Sequence, residues 1–411
     1  MSSITVLPQE ILENIIDELH TDQETLKICA IVSRSLSQRS RRHLFFNVRI
    51  VDATLSHRIH DVLISNTFLS ECIHELEISN DYGWIVNDFY LPVTLGLVTS
   101  PQTLTINTVN YLPWTTIPQL TRDAFLHILR LPSLINISIS RVLDIPLNLF
   151  TPKKHLKSLR LHFVSFVDTP DFLTSATTTD SLDILFWTSG ALLNQATVDI
   201  VTRPGAVLSQ VRLLIAHSMN RMASVGLKIM RASAGSLEAI ELRNMFDIHT
   251  EANGRFEFDF TTLPRLRCLT ITAELSCSSP IRLDERNMAI LQQLCSFIAA
   301  NPSSTRVSSL RIVITAHPRA PSIRTWTALP GCLGSSGLWE DMDRILHYGR
   351  KGCSSFGSSR LDIVLEMHVG TLVELNAMKV TWGDALHGKM PRTVERGILF
   401  CDLKPLNEIL H

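Results

Sequence analysis

Charged residues are the first thing this sequence has little of. They make up 19% of its 411 residues, against about 25% in an ordinary soluble protein. The 38 Lys and Arg residues are balanced by 39 Asp and Glu residues, so the formal net charge is -1. The densest basic group is Arg39, Arg41 and Arg42, with few aromatic residues near it. The sequence therefore lacks the basic field that binds a nucleic-acid backbone, and we expect no nucleic-acid partner.

A long apolar run is also missing, although 45% of the residues are hydrophobic and the mean hydropathy is +0.16. This composition excludes disorder over most of the chain. The longest stretch without a charged residue, 89–121, contains four prolines, whereas a membrane-spanning helix needs about 20 mostly apolar residues. The first residues show no basic segment followed by an apolar one, as a signal peptide would. We expect no membrane association and an intracellular protein, in the cytoplasm, the nucleus or both.

Motifs for metal binding and catalysis are absent as well. The eight cysteines form no C-x-x-C pair and are interpreted as buried apolar residues of a reducing compartment. The nearest approach to a His-Glu-x-x-His motif is His57 with His60, which lacks the carboxylate. The glycine-rich segment 331–337 lacks the Lys-Ser/Thr ending of a phosphate-binding loop and is predicted to be a plain loop. We expect no cofactor, no metal and no catalytic residues; an enzyme whose active site has no local motif is the open alternative.

The first fifty residues carry the most specific pattern, which predicts three short helices. Leu7 and Pro8 open the first helix, since proline suits the first helical position. Apolar residues then follow a helical spacing: Ile11, Leu12, Ile15, Ile16 and Leu19. Capping boxes at 21–24 and 35–38 predict the starts of the second and third helices. About forty residues rarely bury enough apolar surface to be stable alone, so another protein or the rest of the chain is expected to cover part of it.

Three blocks of this segment, 7–15, 22–34 and 41–45, resemble an F-box, in particular the F-box-like segments common in fungal proteins. The resemblance implies that the segment binds a small Skp-type adaptor and, through it, a cullin–RING ubiquitin ligase. By position, it assigns the adaptor-facing role to Leu7, Pro8, Ile11, Leu12, Ile15, Leu26, Cys29 and Val32. One departure is Leu36, where many relatives have tryptophan. The alternative interpretation is an amphipathic helical cap on a repeat domain.

After residue 50 a short pattern recurs, with apolar residues at its first, fourth and sixth positions. Copies lie at 73–78, 134–139, 156–161, 208–213, 237–242, 266–271 and 307–312, with a partial copy at 104–106 and a degenerate one at 182–187. Leucine-rich repeats have a period of about 20–29 residues, longer where insertions intervene. Three copies are preceded by helical stretches, at 121–129, 218–232 and 284–300. Helix followed by strand at a repeating period predicts a curved α/β solenoid with a parallel sheet; a non-repetitive α/β domain is the alternative.

This region resembles an irregular leucine-rich-repeat domain, a common companion of the F-box. It departs from that family at the position three residues after the last apolar residue, where asparagine is expected. The sequence has other residues there: Asp81, Val142, Val164, Ala216, Met245 and Glu274. From about residue 316 the pattern fades, and this part is predicted to be a non-repetitive cap that contains one more buried strand at 361–367. The sequence thus predicts an F-box at 1–50 and a repeat domain at 51–411.

Together the two resemblances imply a substrate-receptor subunit of an SCF-type cullin–RING ubiquitin ligase. The F-box would dock the Skp-type adaptor, and the concave face of the repeats would hold a target protein whose identity the sequence does not specify. The alternative is a repeat-based interaction scaffold that belongs to no ubiquitin ligase and packs the helical segment inside its own chain.

Overall fold

The computed structural model describes residues 8–146, 155–167, 182–188, 199, 202–203, 207–217, 223–244, 260–277, 284–301, 307–318, 328–334, 336–348, 360–367 and 372–405. Over these residues the fold is α/β, with thirteen α-helices and a large parallel β-sheet. The chain forms two compact units, of which the first contains the described residues up to Leu182 and the second those from Leu208 onward, together with 183–188. Among the described helices, none has an apolar stretch of the length that a bilayer requires.

The first unit begins with three short helices and continues as alternating strands and helices. Its helices are α1 (Gln9–Glu18), α2 (Gln23–Val32), α3 (Arg34–Leu44), α4 (Ala53–Ser65), α5 (Phe68–Cys72), α6 (Tyr90–Leu97) and α7 (Gln119–Leu129). Its strands are β1 (Asn47–Ile50), β2 (Glu75–Asn80), β3 (Thr103–Pro113), β4 (Asn136–Leu143), β5 (Ile145–Pro146), β6 (Ser158–His162) and β7 (Phe166–Val167). A parallel sheet has the order β1-β2-β3-β4-β6, and β5 pairs with β7. Strand order thus follows chain order.

The second unit repeats this arrangement. Its strands are β8 (Leu182–Thr188, nearly all of it in this unit), β9 (Val211–His217), β10 (Ala239–Arg243), β11 (Cys268–Cys277), β12 (Ser309–Pro318), β13 (Arg360–Met367) and β14 (Leu399–Pro405). Its helices are α8 (Ala223–Ala232), α9 (Glu285–Ala300), α10 (Leu329–Gly334), α11 (Leu338–Tyr348), α12 (Leu372–Lys389) and α13 (Pro391–Glu395). The strands follow the order β8 to β14, and β9 to β14 are parallel.

The sheet extends past two boundaries predicted from the sequence, the one at residue 50 and the one at about residue 316. The strand β1 pairs with β2, so the sheet already begins before residue 50. At the other end, β13 and β14 extend the parallel sheet beyond residue 316, into the part predicted as a non-repetitive cap. β13 corresponds to the buried strand predicted at 361–367, whereas β14 was not predicted. Two helices lie between β12 and β13, and two more between β13 and β14. These inserted helices lengthen the interval between strands, which is why the period fades in the sequence.

The recurring apolar pattern forms the buried ladder of the sheet. In the first unit, two positions pair in register across neighbouring strands: Val48, Leu76, Leu104, Ile137 and Leu159, then Ile50, Ile78, Ile106, Ile139 and Leu161. The second unit has the same two rows: Leu214, Ile240, Leu269, Leu310 and Leu361, then Ala216, Leu242, Ile271, Ile312 and Ile363. All twenty side chains are buried. The strands predicted at these copies are confirmed, apart from the register of one.

The copy predicted at 208–213 is displaced by three residues. Leu214 and Ala216, rather than Val211 and Leu213, pair with the apolar row of β10. Leu214 and Ala216 are buried, whereas Leu213 is partly exposed. Because this strand is apolar at successive positions, the pattern fits two registers, and only the pairing with β10 selects between them.

A residue with left-handed backbone lies near the end of β4 and directly after β6 and β10, close to where the asparagine of a leucine-rich repeat is expected. Arg141, Phe163 and Asn244 each lie two residues after the second buried position of their strand, with φ between 52° and 56°. In the first unit, the residues that follow are Val142 and Val164, and both are buried. The chain therefore places an apolar side chain where a leucine-rich repeat would place an asparagine side chain.

The glycine-rich segment is helical over much of its length, so the predicted plain loop is wrong there. α10 includes Gly331 and Gly334, and its Leu333 is fully buried. A Cβ atom at Gly334 would overlap Ala385 Cβ of α12. Glycine at this position thus permits two helices to approach closely, a packing role that the sequence pattern does not reveal.

Candidate functional site

The three N-terminal helices form a small cluster in which α1 and α2 both pack against α3. Each of the first two helices buries one apolar side chain deeply: Ile16 on α1 and Leu26 on α2, both 1% exposed. The remaining apolar residues of these helices are at least partly accessible. The cluster is therefore held by few core contacts, and polar contacts contribute to its geometry.

An ion-pair cluster fixes α1 against α3. Arg39 donates from Nε to Asp17 Oδ1 and from Nη2 to Asp17 Oδ2, both at 2.6 Å. His43 Nε2 lies 2.7 Å from Asp17 Oδ1. These hydrogen bonds, first that of Arg39 and then that of His43, hold the pKa of the Asp17 carboxyl well below its usual range. A bidentate arginine pair is directional, so it orients the exposed face of α1.

The helix starts differ from the predicted capping boxes. Asp22, not Thr21, is the N-cap of α2, and its carboxylate accepts from Thr25 N at 3.1 Å and Thr25 Oγ1 at 2.6 Å. α3 begins at Arg34 with Ser33 at the N-cap, so the box predicted at 35–38 lies inside the helix. Adjacent polar residues can each serve as an N-cap, and the tertiary packing decides which one does.

Pro8 also lies one position earlier than predicted. It is exposed and occupies the N-cap of α1, and the helix itself begins at Gln9. Gln9 Nε2 donates to the carbonyl oxygen of Ser35 at 3.1 Å, which joins the start of α1 to α3.

Five isoleucine and valine side chains on α1 and α2 point into solvent. On α1, Ile11 is 45% exposed and Ile15 is 47% exposed. On α2, Ile28 is 61%, Ile31 is 85% and Val32 is 75% exposed. We call these five residues the exposed apolar set. Leaving such side chains in water forgoes about 25 cal/mol per Å² of apolar area, so the set is a candidate contact surface for a partner.

The adaptor-facing residues implied by the F-box resemblance fall into four groups. Pro8, Ile11, Ile15 and Val32 are exposed. Leu12 and Cys29 are partly buried. Leu26 is buried inside this chain, so it supports α2 from within and is not available to a partner. Leu7 lies outside the described residues.

Ile28 and Ile31 are exposed residues that the sequence analysis missed. Residues advance by 100° around a helix, so two and five positions beyond the buried Leu26 correspond to about 200° and 140°, the side opposite the core. The helical spacing therefore identifies Ile28 and Ile31 as exposed residues if Leu26 is taken as buried. The F-box resemblance instead assigned Leu26 and Cys29 to the partner-facing side.

A groove of about 410 Å³ lies beside the same cluster. Its lining residues come from α3, α5 and the segments before β1 and β2: Arg39, Arg42, His43, Phe46, Phe68, Glu71, Cys72 and His74. The Arg42 guanidinium lies 5.5 Å from the centroid of the Phe68 ring. Burial raises the pKa of the Cys72 thiol, which keeps it protonated and weakly nucleophilic.

No group of three or more His, Cys, Asp and Glu side chains is placed to hold a metal ion in the described part of the chain. His57 and His60, the closest sequence approach to such a site, both lie near Asp61, at 3.4 Å and 3.2 Å. The His57 ring also stacks on Tyr90, with ring centroids 4.0 Å apart. The pair therefore has a packing role on the surface of the first unit.

No family model, curated protein or solved structure matches the chain.

Proposed function

We propose that this chain is the substrate-receptor subunit of an SCF-type cullin–RING ubiquitin ligase. In this proposal the three N-terminal helices are an F-box that docks a Skp-type adaptor. The strands and helices that follow are an irregular leucine-rich-repeat solenoid that binds a target protein. The observation that carries the proposal is the exposed apolar set on α1 and α2, in the segment whose sequence resembles an F-box.

The exposed apolar set suits burial of helix faces in a partner's groove. Such interfaces have an apolar core, and their anchors recur at helical spacing. Ile11 and Ile15 are four residues apart, and Ile31 and Val32 lie three and four residues after Ile28. Residues at these spacings are neighbours on a helix surface. The contact of Asp17 with Arg39 holds α1 in place before binding, which reduces the ordering cost on association.

The repeat part is supported by the sequential parallel strands and by the in-register apolar rows of both units. A row of stacked strands offers an extended surface to a protein partner. The proposed contribution to ubiquitin transfer is positional: a bound target is kept at high effective concentration near the activated ubiquitin. The protein then needs neither catalytic residues nor a cofactor, and it works inside the cell.

Co-purification of the full chain with a recombinant Skp-type adaptor tests the proposal. Changing Ile28→Glu together with Ile31→Glu places two charges in the proposed interface and should abolish adaptor binding. Leu120→Glu is the matched control, because Leu120 is 74% exposed on α7, away from α1 and α2 in the sequence. Adaptor binding that survives the double change, or that is lost equally with Leu120→Glu, would refute the assignment.

A scaffold outside any ubiquitin ligase is the second candidate. It is favoured by the burial of Ile16 and Leu26 within this chain and by the contact of α3 with α5 of the same compact unit. A chain that stays monodisperse when expressed alone and captures no Skp-type adaptor would support this candidate instead.

A further inference from the structure

The loop between β2 and α6, residues 81–89, holds two aromatic side chains almost entirely in water. Tyr82 is 95% exposed and Phe89 is 87% exposed. Large aromatic residues dominate the binding energy of many protein interfaces.

The same loop is held in place by hydrogen bonds and by one buried side chain. Trp84 Nε1 donates to the Ser79 carbonyl oxygen at 2.8 Å, and Ile85 is fully buried. Asp88 is 6% exposed and accepts the Tyr90 amide hydrogen at 2.9 Å, which fixes the start of α6. Gly83 has φ +75° and makes the turn that other residues rarely allow. Tyr82 and Phe89 are therefore presented by an anchored loop, so little ordering is needed on binding.

A bulge in β3 lies next to this loop. Asn80, the last residue of β2, pairs with Thr108 of β3, and the register of β3 against β4 shifts between Asn107 and Leu112. Within the bulge, Val109 is 53% and Tyr111 is 51% exposed. Bulges re-aim side chains and terminate pairing. The loop starts directly after Asn80, and the bulge starts at its partner Thr108, on neighbouring strands. We call the exposed residues Tyr82, Phe89, Val109 and Tyr111 the aromatic edge.

The aromatic edge continues towards β4 and β6. The Tyr111 ring lies 6.5 Å from the Phe163 ring in an edge-on arrangement. Phe163 has φ +53°, a backbone conformation that is costly for a bulky residue and is often retained at binding sites. Arg141, near the end of β4, also has a left-handed backbone, and its guanidinium donates to the Thr108 carbonyl oxygen at 3.2 Å.

The charges along this edge favour a cationic partner. Asp81 immediately precedes Tyr82, and the exposed Asp144 follows β4. Neither carboxylate forms a salt bridge with any residue in the part of the chain that the structure describes, although Asp144 Oδ1 accepts a hydrogen bond from Ser165 Oγ at 3.2 Å. The Arg141 guanidinium, by contrast, is directed to a backbone carbonyl oxygen. A carboxylate beside an exposed aromatic side chain, as Asp81 is beside Tyr82 in the chain, suits arginine and lysine, which bind through ion pairs and cation–π contacts.

We propose that the aromatic edge binds an extended, arginine-containing segment of another protein. The guanidinium groups would stack on Tyr82, Phe89 and Tyr111, while Asp81 and Asp144 supply the opposite charge. The proposal holds whether or not the N-terminal helices bind an adaptor, because it uses different residues of the first unit.

Fluorescence anisotropy of a labelled twelve-residue peptide with a Gly-Arg-Ser repeat tests this proposal on the full chain. The peptide should bind at least about tenfold more tightly than a Gly-Glu-Ser peptide of the same length. Changing Tyr82→Ala together with Phe89→Ala should weaken binding about tenfold or more, as expected for aromatic anchors. Changing Asp81→Asn together with Asp144→Asn should weaken it and reduce its dependence on salt.

Leu120→Ala is the control, since it removes another largely exposed apolar side chain, 74% exposed, from α7 of the same unit. Its affinity for the arginine peptide should equal that of the unchanged chain. Three results would each overturn the proposal: no binding of the arginine peptide, equal binding of both peptides, or unchanged binding after the Tyr82 and Phe89 changes. Since both aromatic side chains lie in water, the variant should keep the thermal unfolding temperature of the parent, which the same samples can verify.

Discussion

Isoleucine has opposite environments in the helical cluster and in the sheet of the first unit. Ile31 is 85% exposed on α2, whereas Ile78 is completely buried on β2. Ile78 has a strand on either side, with Ile50 of β1 and Ile106 of β3 in register with it. α2 packs mainly against α3 and deeply buries only Leu26. The number of neighbouring elements, rather than the residue type, decides which isoleucines join the core.

The largest effect on stability is expected when the buried Ile78 and the exposed Ile31 are each changed to alanine. Ile78→Ala removes a fully buried side chain and should lower the free energy of unfolding by about 2–5 kcal/mol. Ile31→Ala should change it by no more than about 0.5 kcal/mol, because the side chain is in water in both states. Urea unfolding of the two variants, followed by circular dichroism, measures the difference. If the two variants lose similar free energies of unfolding, Ile31 must be buried against other residues in the free protein.

A smaller effect is expected from the contact that orients α1. Asp17→Asn removes the charge that Arg39 and His43 share and should lower the free energy of unfolding by about 1 kcal/mol or less. The effect is limited because these side chains are 24–35% exposed and solvent screens the ion pairs. Asp17→Glu is the matched control, since it keeps the charge but changes the reach of the side chain.

The same contact has a defined pH dependence. The pKa of Asp17 is lower in the folded chain than its ordinary value of 3.8, so the unfolded chain takes up the proton first as the pH falls. The stabilisation is therefore complete near neutral pH, starts to decline as the pH approaches the ordinary value, and is lost below the folded pKa. The stability difference between the parent and Asp17→Asn should shrink over that range. If this stability difference instead grows as the pH falls, the ionised Asp17 carboxylate is not the source of the stabilisation.

The smallest effect is expected at the start of α2. Asp22→Ala removes the side chain that caps the helix and should lower the thermal unfolding temperature slightly, because the cap is exposed to solvent. Thr21→Ala should lower it less, since Asp22 is the observed cap. Thermal unfolding of the two variants distinguishes them, and a larger loss with Thr21→Ala would restore the capping box predicted from the sequence.

The sequence was sufficient to predict the α/β class, the parallel strands and most of their buried positions. Rows such as Leu104 with Ile137, or Ile240 with Leu269, could be found because strand pairing repeats one pattern. The copy at 208–213 could not be placed correctly, because several consecutive residues there are apolar and only the β10 partner selects the register. β14 was missed because helices separate it from β13.

The candidate site was less predictable than the fold. The helical spacing predicted that Ile11 and Ile15 share a face of α1, and both are exposed. It could not show that Leu26 faces the core while Ile28 and Ile31 face water, because that depends on how α2 packs against α3. The contact of Asp17 with Arg39 joins residues 22 positions apart. No local pattern indicates such a contact.

Hydrogen exchange of the full chain, with and without a Skp-type adaptor, tests most directly whether the exposed apolar set is a partner-binding surface. The proposal predicts slower exchange on adding the adaptor in α1 and α2, over Gln9–Glu18 and Gln23–Val32, with β10 to β13 unchanged. Unchanged exchange throughout these two helices at saturating adaptor would contradict it.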